Sequence, residues 1–316
     1  MEGTDSAHTG GAHGHSRDGG LSLLSGLSAF PLTPMDSGGV VDTDHLGRLV
    51  ARLDGAGVTS IGVLGSTGSY MYLRADERAR AIAAAVEAAG QTPVIAGIGA
   101  MATCDVVANA RAAQNAGAAG VLLAPVQYLP LTDDEIVSLY AEVAEATNLP
   151  ILIYNAEGKT GISLSEPLMT RLAALDGVDA IKNPAKEGQC ADQMARLRAC
   201  MPEGFVLGYS GDALINDALS AGADAWYSVI AGTLPELARM IWKARAEPAR
   251  LVDLHSRCAP LWSLFTLYGA IRVVPHILEL QGQGQVDLPR PLQRSPRAVI
   301  AEIEVALDHL PREQPA

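Results

Sequence analysis

The chain has 316 residues, 48% of them hydrophobic and only 4% aromatic, with a formal net charge of −12 at pH 7. That length is large for a single sandwich and ordinary for one eight-stranded α/β barrel with an appendage. The acidity, with no basic stripe to offset it, argues against nucleic acid and anionic membranes as partners, while a small anionic substrate stays possible because local cations and backbone N–H groups bind one whatever the global charge.

Residues 1–22 read as a disordered tail, a Gly/Ser/His-rich stretch in which His8, His13 and His15 are solvated. It has no cationic start followed by an apolar stretch, so a secretory signal is not expected. No apolar run approaches the ~20 residues needed to cross a bilayer. Cys104, Cys190, Cys200 and Cys258 are widely spaced, without a C-x-x-C pair or a histidine at zinc-ligand spacing. Reduced thiols in a cytoplasmic protein are the expectation.

From residue 26 the text repeats one unit: a short apolar run, a loop, then an alanine-rich stretch of helical period. The runs lie at 26–32, 58–65, 93–99, 120–125, 150–155, 178–183, 205–211 and 223–229. Helices are expected between and after them at about 43–56, 75–90, 103–117, 132–147, 165–175, 187–200, 212–221 and 234–246, with Thr132 and Ser165 placed to cap two of them. Nearly all-apolar strands joined by crossover helices imply a parallel sheet covered by helices, and eight units imply closure. The fold class expected is therefore α/β, a (β/α)8 TIM barrel over 23–246 with a C-terminal helical extension over 247–316, helical at 250–281 and 294–309. A doubly wound open sheet is the alternative, but G-x-G-x-x-G does not follow the first strand.

In such a barrel the chemistry sits at the C-terminal strand ends. Those ends carry Thr33, the GSTGS stretch 65–69, Gly99, the PVQY stretch 125–128, Tyr154-Asn155, Lys182, Ser210-Gly211-Asp212 and Ser228. Lysine is scarce, with four (Lys159, Lys182, Lys186, Lys243) among 23 basic residues, and Lys182 directly follows four strand-like residues, Val178 to Ile181. Pointing outward it would simply snorkel to water. Pointing inward it would sit above the packed core, where desolvation lowers its pKa and makes it a nucleophile able to form a Schiff base with a ketone. Ser66, Thr67 and the N–H groups of a glycine-rich turn at Gly65 and Gly68 could hold a carboxylate, and Tyr154 could move protons beside the amine.

In the order carboxylate loop at strand two, tyrosine at strand five and lysine at strand six, these features resemble the dihydrodipicolinate synthase and N-acetylneuraminate lyase family of class I, Schiff-base lyases and aldolases. The resemblance runs from about Leu27 to about Gly232 and more loosely beyond. It implies that Gly65-Ser66-Thr67-Gly68 holds the carboxylate of a 2-oxo acid such as pyruvate, that the Tyr154 hydroxyl serves the proton relay with Thr67, that Lys182 forms the imine, and that Ser210 and Gly211 line the pocket. It further implies a homo-oligomer, a dimer or tetramer, with no metal and no organic cofactor.

The sequence departs from the family pattern at the pocket mouth. With Pro125-Val126-Gln127-Tyr128 the tyrosine that crosses the dimer is either absent or displaced by one position, and Lys159 stands where the synthases carry an arginine for the second substrate's carboxylate. Lysine keeps the charge and loses the bidentate fork, and Glu157 adds negative charge beside it. Asn183 replaces the usual acidic residue after the lysine. These changes point away from the lysine-pathway synthase. The expectation is an enzyme that makes or breaks a C–C bond between a 2-oxo acid and an aldehyde, with Gln127, Tyr128, Lys159 and Ser228 also in contact with substrate. A 2-keto-3-deoxy sugar acid dehydratase, or a non-catalytic barrel that binds a keto acid, stays open. A phosphate-binding barrel ranks last, since the loops after strands seven and eight hold no lysine or arginine.

Overall fold

The computed structural model describes residues 23–312. The tail expected over 1–22, with its three histidines, lies outside the described residues. Eight strands, β1 Gly26–Ala29, β2 Ser60–Val63, β3 Val94–Gly97, β4 Gly120–Leu123, β5 Ile151–Tyr154, β6 Val178–Pro184, β7 Val206–Ser210 and β8 Ala225–Ser228, pair in chain order, all parallel, and β8 closes onto β1. The expected (β/α)8 barrel is the architecture observed. Among the described residues no helix is long and apolar enough to cross a membrane.

Helices follow each strand, and the anticipated caps form. Thr132 accepts from the Glu135 amide while Glu135 reaches back to the Thr132 amide, and the Ser165 hydroxyl accepts from Leu168 N. Two local elements were not expected from the sequence, a 3-10 turn at Tyr70–Tyr72 and a short helix at Glu157–Thr160. The helix expected over 212–221 begins as a 3-10 turn, Asp212–Leu214, before Ile215–Ser220. The single helix expected over 250–281 is three: Pro248–Arg257, Ala259–Tyr268 and Ala270–Leu280. Pro248 and Pro260 sit in first turns, where the missing N–H costs nothing, and Gly269 breaks the run at φ 79. The expected 294–309 helix likewise starts as a 3-10 turn, Arg297–Val299, and continues as Ile300–Asp308.

These C-terminal helices pack on their own barrel. The His255 ring stacks on Trp262 and its Nε2 meets the Asp212 carbonyl at 3.2 Å, so the extension touches the turn that leaves β7.

Alternation along the strands sorts side chains into two cores. Ile61, Ile153, Ile181, Leu207, Tyr209 and Trp226 face the helices in one large cluster. A second, smaller cluster fills the barrel and contains Phe30, Ile95, Leu122, Leu152, Tyr154, Ala180, Val206, Ala225 and Tyr227. Lys182 is two residues beyond Ala180 and shares its inward parity. Glycines admit the largest interior rings: a Cβ on Gly62 would stand 2.2 Å from Phe30 Cζ, and one on Gly208 2.3 Å from Tyr227 Cε2.

Gly97 shows the same economy against backbone. A Cβ there would lie 1.8 Å from the Leu64 carbonyl oxygen, an atom held by a residue at φ 56. Gly97→Ala is expected to destabilise the fold by about 3 kcal/mol, whereas Gly158→Ala, which meets nothing within 4 Å, should stay within about 1 kcal/mol of the parent. Urea unfolding midpoints of the two variants check this.

Candidate active site

The β5–β6 register sets Tyr154 directly beside Lys182, and β6–β7 sets Lys182 beside Gly208. The Lys182 side chain is buried, the residue 5% exposed. Its Nζ stands 3.7 Å from the centre of the Phe30 ring, 4.7 Å from that of Tyr154 and 5.8 Å from that of Tyr227. Burial pushes the ammonium down to about 7, against the opposing pull of the Asp212 carboxylate. Near neutral pH a large fraction of this amine carries a free lone pair, which is what attack on a ketone requires.

Tyr154 is also buried, and its hydroxyl lies 3.0 Å from Ser66 Oγ, either atom being able to donate. Burial raises the phenol above its ordinary value and the Ser66 bond lowers it in part. Nearby, Tyr70 is pushed up to about 12 by burial and by the neighbouring Tyr154, with Arg78 opposing. The Arg78 guanidinium lies over the Tyr70 ring and donates to the Gly99 carbonyl at 2.7 Å, fixing this second phenol behind the first.

The loop after β2 earns its shape from conformation. Leu64 and Ser69 are both left-handed without being glycine, at φ 56 and φ 58, a local strain of order 1 kcal/mol or more each. Between them Gly68 lets the chain fold back, since a Cβ there would be 2.9 Å from Leu64 N and 3.0 Å from Thr33 Oγ1. Gly65 makes room for Phe30, whose Cδ1 would be 3.0 Å from its Cβ. Thr67 is buried and Ser66 half-buried in this loop.

The remaining residues singled out from sequence fall in two groups. Ser210 donates to the Asn183 carbonyl at 3.4 Å and Gly211 turns the chain at φ 99, so both shape the exit of β6 and β7. Ser228 is fully buried with outward parity; its Oγ accepts from Ala231 N at 2.9 Å and its hydroxyl bonds Asp212. Gln127 ties two loops together, donating to the Gly161 carbonyl at 3.2 Å and accepting from Leu131 N at 3.1 Å. Tyr128 is 88% exposed, and within this chain it is not brought to Tyr154. Lys159 is exposed on the short helix Glu157–Thr160, and the negative charge expected at Glu157 is matched by Lys186 at 3.5 Å.

The structure adds three groups that the sequence reading did not single out for these contacts. Phe30 lies against the amine; its signal was a phenylalanine of matching parity beyond β1, one of three in the chain, facing strands with interior glycines. Asp212 was read only as part of a turn, yet its carboxylate is buried and accepts from Trp226 Nε1 at 3.0 Å and Ile230 N at 2.8 Å, with Ser228 as a further partner. Burial raises its pKa while those donors and Lys182 lower it. Asn155 Nδ2 donates to Asn183 Oδ1 at 3.0 Å and Asn155 N to the Lys182 carbonyl at 3.1 Å, which clamps the ends of β5 and β6 together. Among the described residues there is no group of three or more His, Cys, Asp or Glu side chains that could hold a metal.

Comparison with known proteins gives a consistent result. Residues 23–309 match the model of the Dihydrodipicolinate synthetase family. A 4-hydroxy-tetrahydrodipicolinate synthase from Azoarcus sp. (strain BH72) is 34% identical over 244 residues, 74% of this chain and 82% of that protein. The crystal structure of dihydrodipicolinate synthase from Agrobacterium tumefaciens str. C58 superposes with a TM-score of 0.89 at 42% identity, covering 92% of this chain and 99% of that one. The chloride inhibited dihydrodipicolinate synthase from Acinetobacter baumannii, complexed with pyruvate, superposes with a TM-score of 0.82 at 26% identity, covering 90% of this chain and 98% of that one.

The buried amine also marks the stability of the fold. In the unfolded chain Lys182 returns to about 10.5, so between about pH 7 and 10.5 the unfolded state binds the extra proton and native stability rises with pH. The penalty is fully present below about 7. Lys182→Met is therefore expected to be more stable than the parent by a few kcal/mol at pH 6, with the gap closing by pH 10, as read from urea unfolding at the two pH values.

Proposed function

The chain belongs to the dihydrodipicolinate synthetase family, and from that premise we propose that it is a class I lyase or aldolase that makes or breaks the C–C bond between pyruvate, or a similar 2-oxo acid, and an aldehyde through an enamine on Lys182. The observation that carries this reading is the desolvated Lys182 amine packed against Tyr154, whose hydroxyl meets Ser66. The Nζ lone pair attacks C2 of the 2-oxo acid, the carbonyl oxygen leaves as water, and the resulting iminium acidifies C3. Loss of a C3 proton gives the enamine, which adds to the aldehyde carbon; the reverse sequence cleaves that bond. Tyr154 moves protons at the carbinolamine and enamine steps with Thr67 as partner, and Ser66, Thr67 and the N–H groups around Gly65 and Gly68 hold the carboxylate. A barrel that only bound a keto acid would have no use for an amine kept out of water at such cost.

The mouth supports a second reading for the other substrate. No arginine lies between β4, β5, β6, β7 or β8 and the helix that follows each, and the Glu157–Lys186 pair spans the exits of β5 and β6. A paired acid and base, with Lys159 unclamped, suits a hydroxyl-bearing sugar acid better than a second carboxylate. The same imine then permits loss of hydroxide from a 2-keto-3-deoxy sugar acid. Product analysis with pyruvate plus a panel of aldehydes, and separately with keto-deoxy sugar acids, distinguishes the two.

A homo-oligomer, a dimer or tetramer, belongs to this proposal. It is supported by Tyr128 and Leu129, which stand 88% and 72% exposed side by side at the barrel mouth and offer an apolar surface for a second copy. A cytoplasmic setting is part of the same proposal, supported by four cysteines none of which is paired.

Borohydride in the presence of pyruvate is expected to add one reduced pyruvyl group to Lys182, found by peptide mass mapping, and unchanged mass would contradict the imine. Tyr154→Phe should keep pyruvate binding while slowing imine formation by about a hundredfold or more, as followed by the time course of the same trapping reaction.

A further inference from the structure

We propose that Phe30 is a catalytic residue of the imine chemistry, its ring face serving as the electrostatic seat for the positive charge that Lys182 Nζ carries once the iminium forms. The inference rests on the Schiff-base reading above and adds a residue to it. Three observations support it.

The first is distance and direction. Nζ lies 3.7 Å from the Phe30 ring centre, closer than to either of the other two rings around it, and within the range where the negative face of a benzene ring attracts a cation. The second is how deliberately the ring is placed. Gly62 and Gly65 both lack the Cβ that would collide with it, and Gly232 lets the backbone of Phe30 pass, since a Cβ there would be 2.6 Å from the Phe30 carbonyl carbon. Tyr227 meets the ring edge to face, with centroids 6.1 Å apart and planes at 87°, and its own hydroxyl is tied to the Leu24 carbonyl at 2.6 Å. Four neighbours thus hold one ring in one orientation. The third is what else faces the amine. The charged and titratable groups facing this amine are Asp212, from the turn after β7, and the phenols of Tyr154 and Tyr227; the Asp212 carboxylate attracts the amine, but its oxygens are directed to Trp226, Ile230 and Ser228, and the Phe30 ring face is the group that lies against Nζ itself.

The chemistry gives the ring its task. When Nζ bonds to C2 and the carbonyl oxygen departs as water with the protons it has taken up, nitrogen is left with a net charge of +1 in a pocket that water has left. Desolvation alone favours the neutral amine and would disfavour this product. A fixed quadrupole, in place before the reaction, offsets that cost without reorganising. Phe30 therefore holds the iminium formed after attack and, by the same attraction, the ammonium before it, while the burial of Lys182 supplies the free amine for the attack itself.

The test replaces Phe30 in the full chain with mono-, di- and trifluorinated phenylalanine, a nearly isosteric series that drains the ring face of negative charge step by step. Borohydride trapping with pyruvate is measured across pH. The trapped fraction at fixed pyruvate is expected to fall progressively, by roughly 3- to 30-fold over the series, and the pH midpoint of trapping to move downward with each fluorine while thermal unfolding stays put. Phe30→Leu, which keeps apolar bulk and loses the face, should fall at the low end of the series. Trapping that ignores fluorination would overturn the assignment and leave Phe30 as packing. Failure of the unmodified chain to trap pyruvate on Lys182 is a different result, which removes the imine mechanism and this inference with it.

Discussion

Everything at the mouth of this barrel follows from the removal of one ammonium from water. An isolated cation in an apolar interior is so costly that the group sheds its proton instead, and Lys182 does so near neutral pH. A shift from 10.5 to about 7 corresponds to roughly 5 kcal/mol at 1.36 kcal/mol per pH unit, a large share of the stability of an ordinary domain. The barrel sustains it because the larger of its two cores lies between strands and helices, away from the amine. Stability and reactivity are thereby assigned to opposite faces of the same strands.

The pocket is shaped as much by missing side chains as by present ones. Glycines inside β2 and β7 and at the end of β3 would ordinarily weaken a sheet. Here Gly62 and Gly208 give their volume to Phe30 and Tyr227, and Gly97 gives its volume to the strained Leu64 carbonyl. The strain at Leu64 and Ser69 bends the loop so that Ser66 reaches the Tyr154 hydroxyl on the far strand. Large rings in one place and absent methyl groups in another are one design, and neither makes sense without the other.

This complementarity also marks where the sequence is legible. The short, nearly all-apolar runs and the regular return of alanine-rich helices disclose the barrel, because both are local signals written in one short window. Thr132 and Ser165 announce their helices for the same reason, and Lys182 stands out because lysine is scarce and one strand carries it. Phe30 beside Lys182 is a pairing across 152 positions of chain and the barrel's full width, with no local signature; its only trace is glycine where a strand would prefer a branched residue. The Glu157–Lys186 pair and the Asp212–Trp226 bond are likewise products of closure. Strands and helix starts are properties of segments, whereas the electrostatics of the amine is a property of the folded whole. The three-way division of the C-terminal helices was legible in Pro248, Pro260 and Gly269, but unbroken apolar periodicity outweighed those signs.

The protonation states of the site then order the reaction. A dry pocket favours neutral species, which are the free amine before attack and the enamine after C3 loses its proton; it disfavours the charged iminium between them. If burial were the only device, the intermediate that links the two neutral states would be the highest point on the path. The ring faces around Nζ and the Asp212 charge stabilise that intermediate and not the enamine, which has no full charge for them to hold. Burial therefore supplies the nucleophile and draws the reaction toward the enamine, while the fixed negative potential lowers the passage between. Strengthening either alone would trap the site, in a resting ammonium if the negative potential grew, or short of the iminium if the pocket became drier, so the value near neutrality reflects a balance that both must keep.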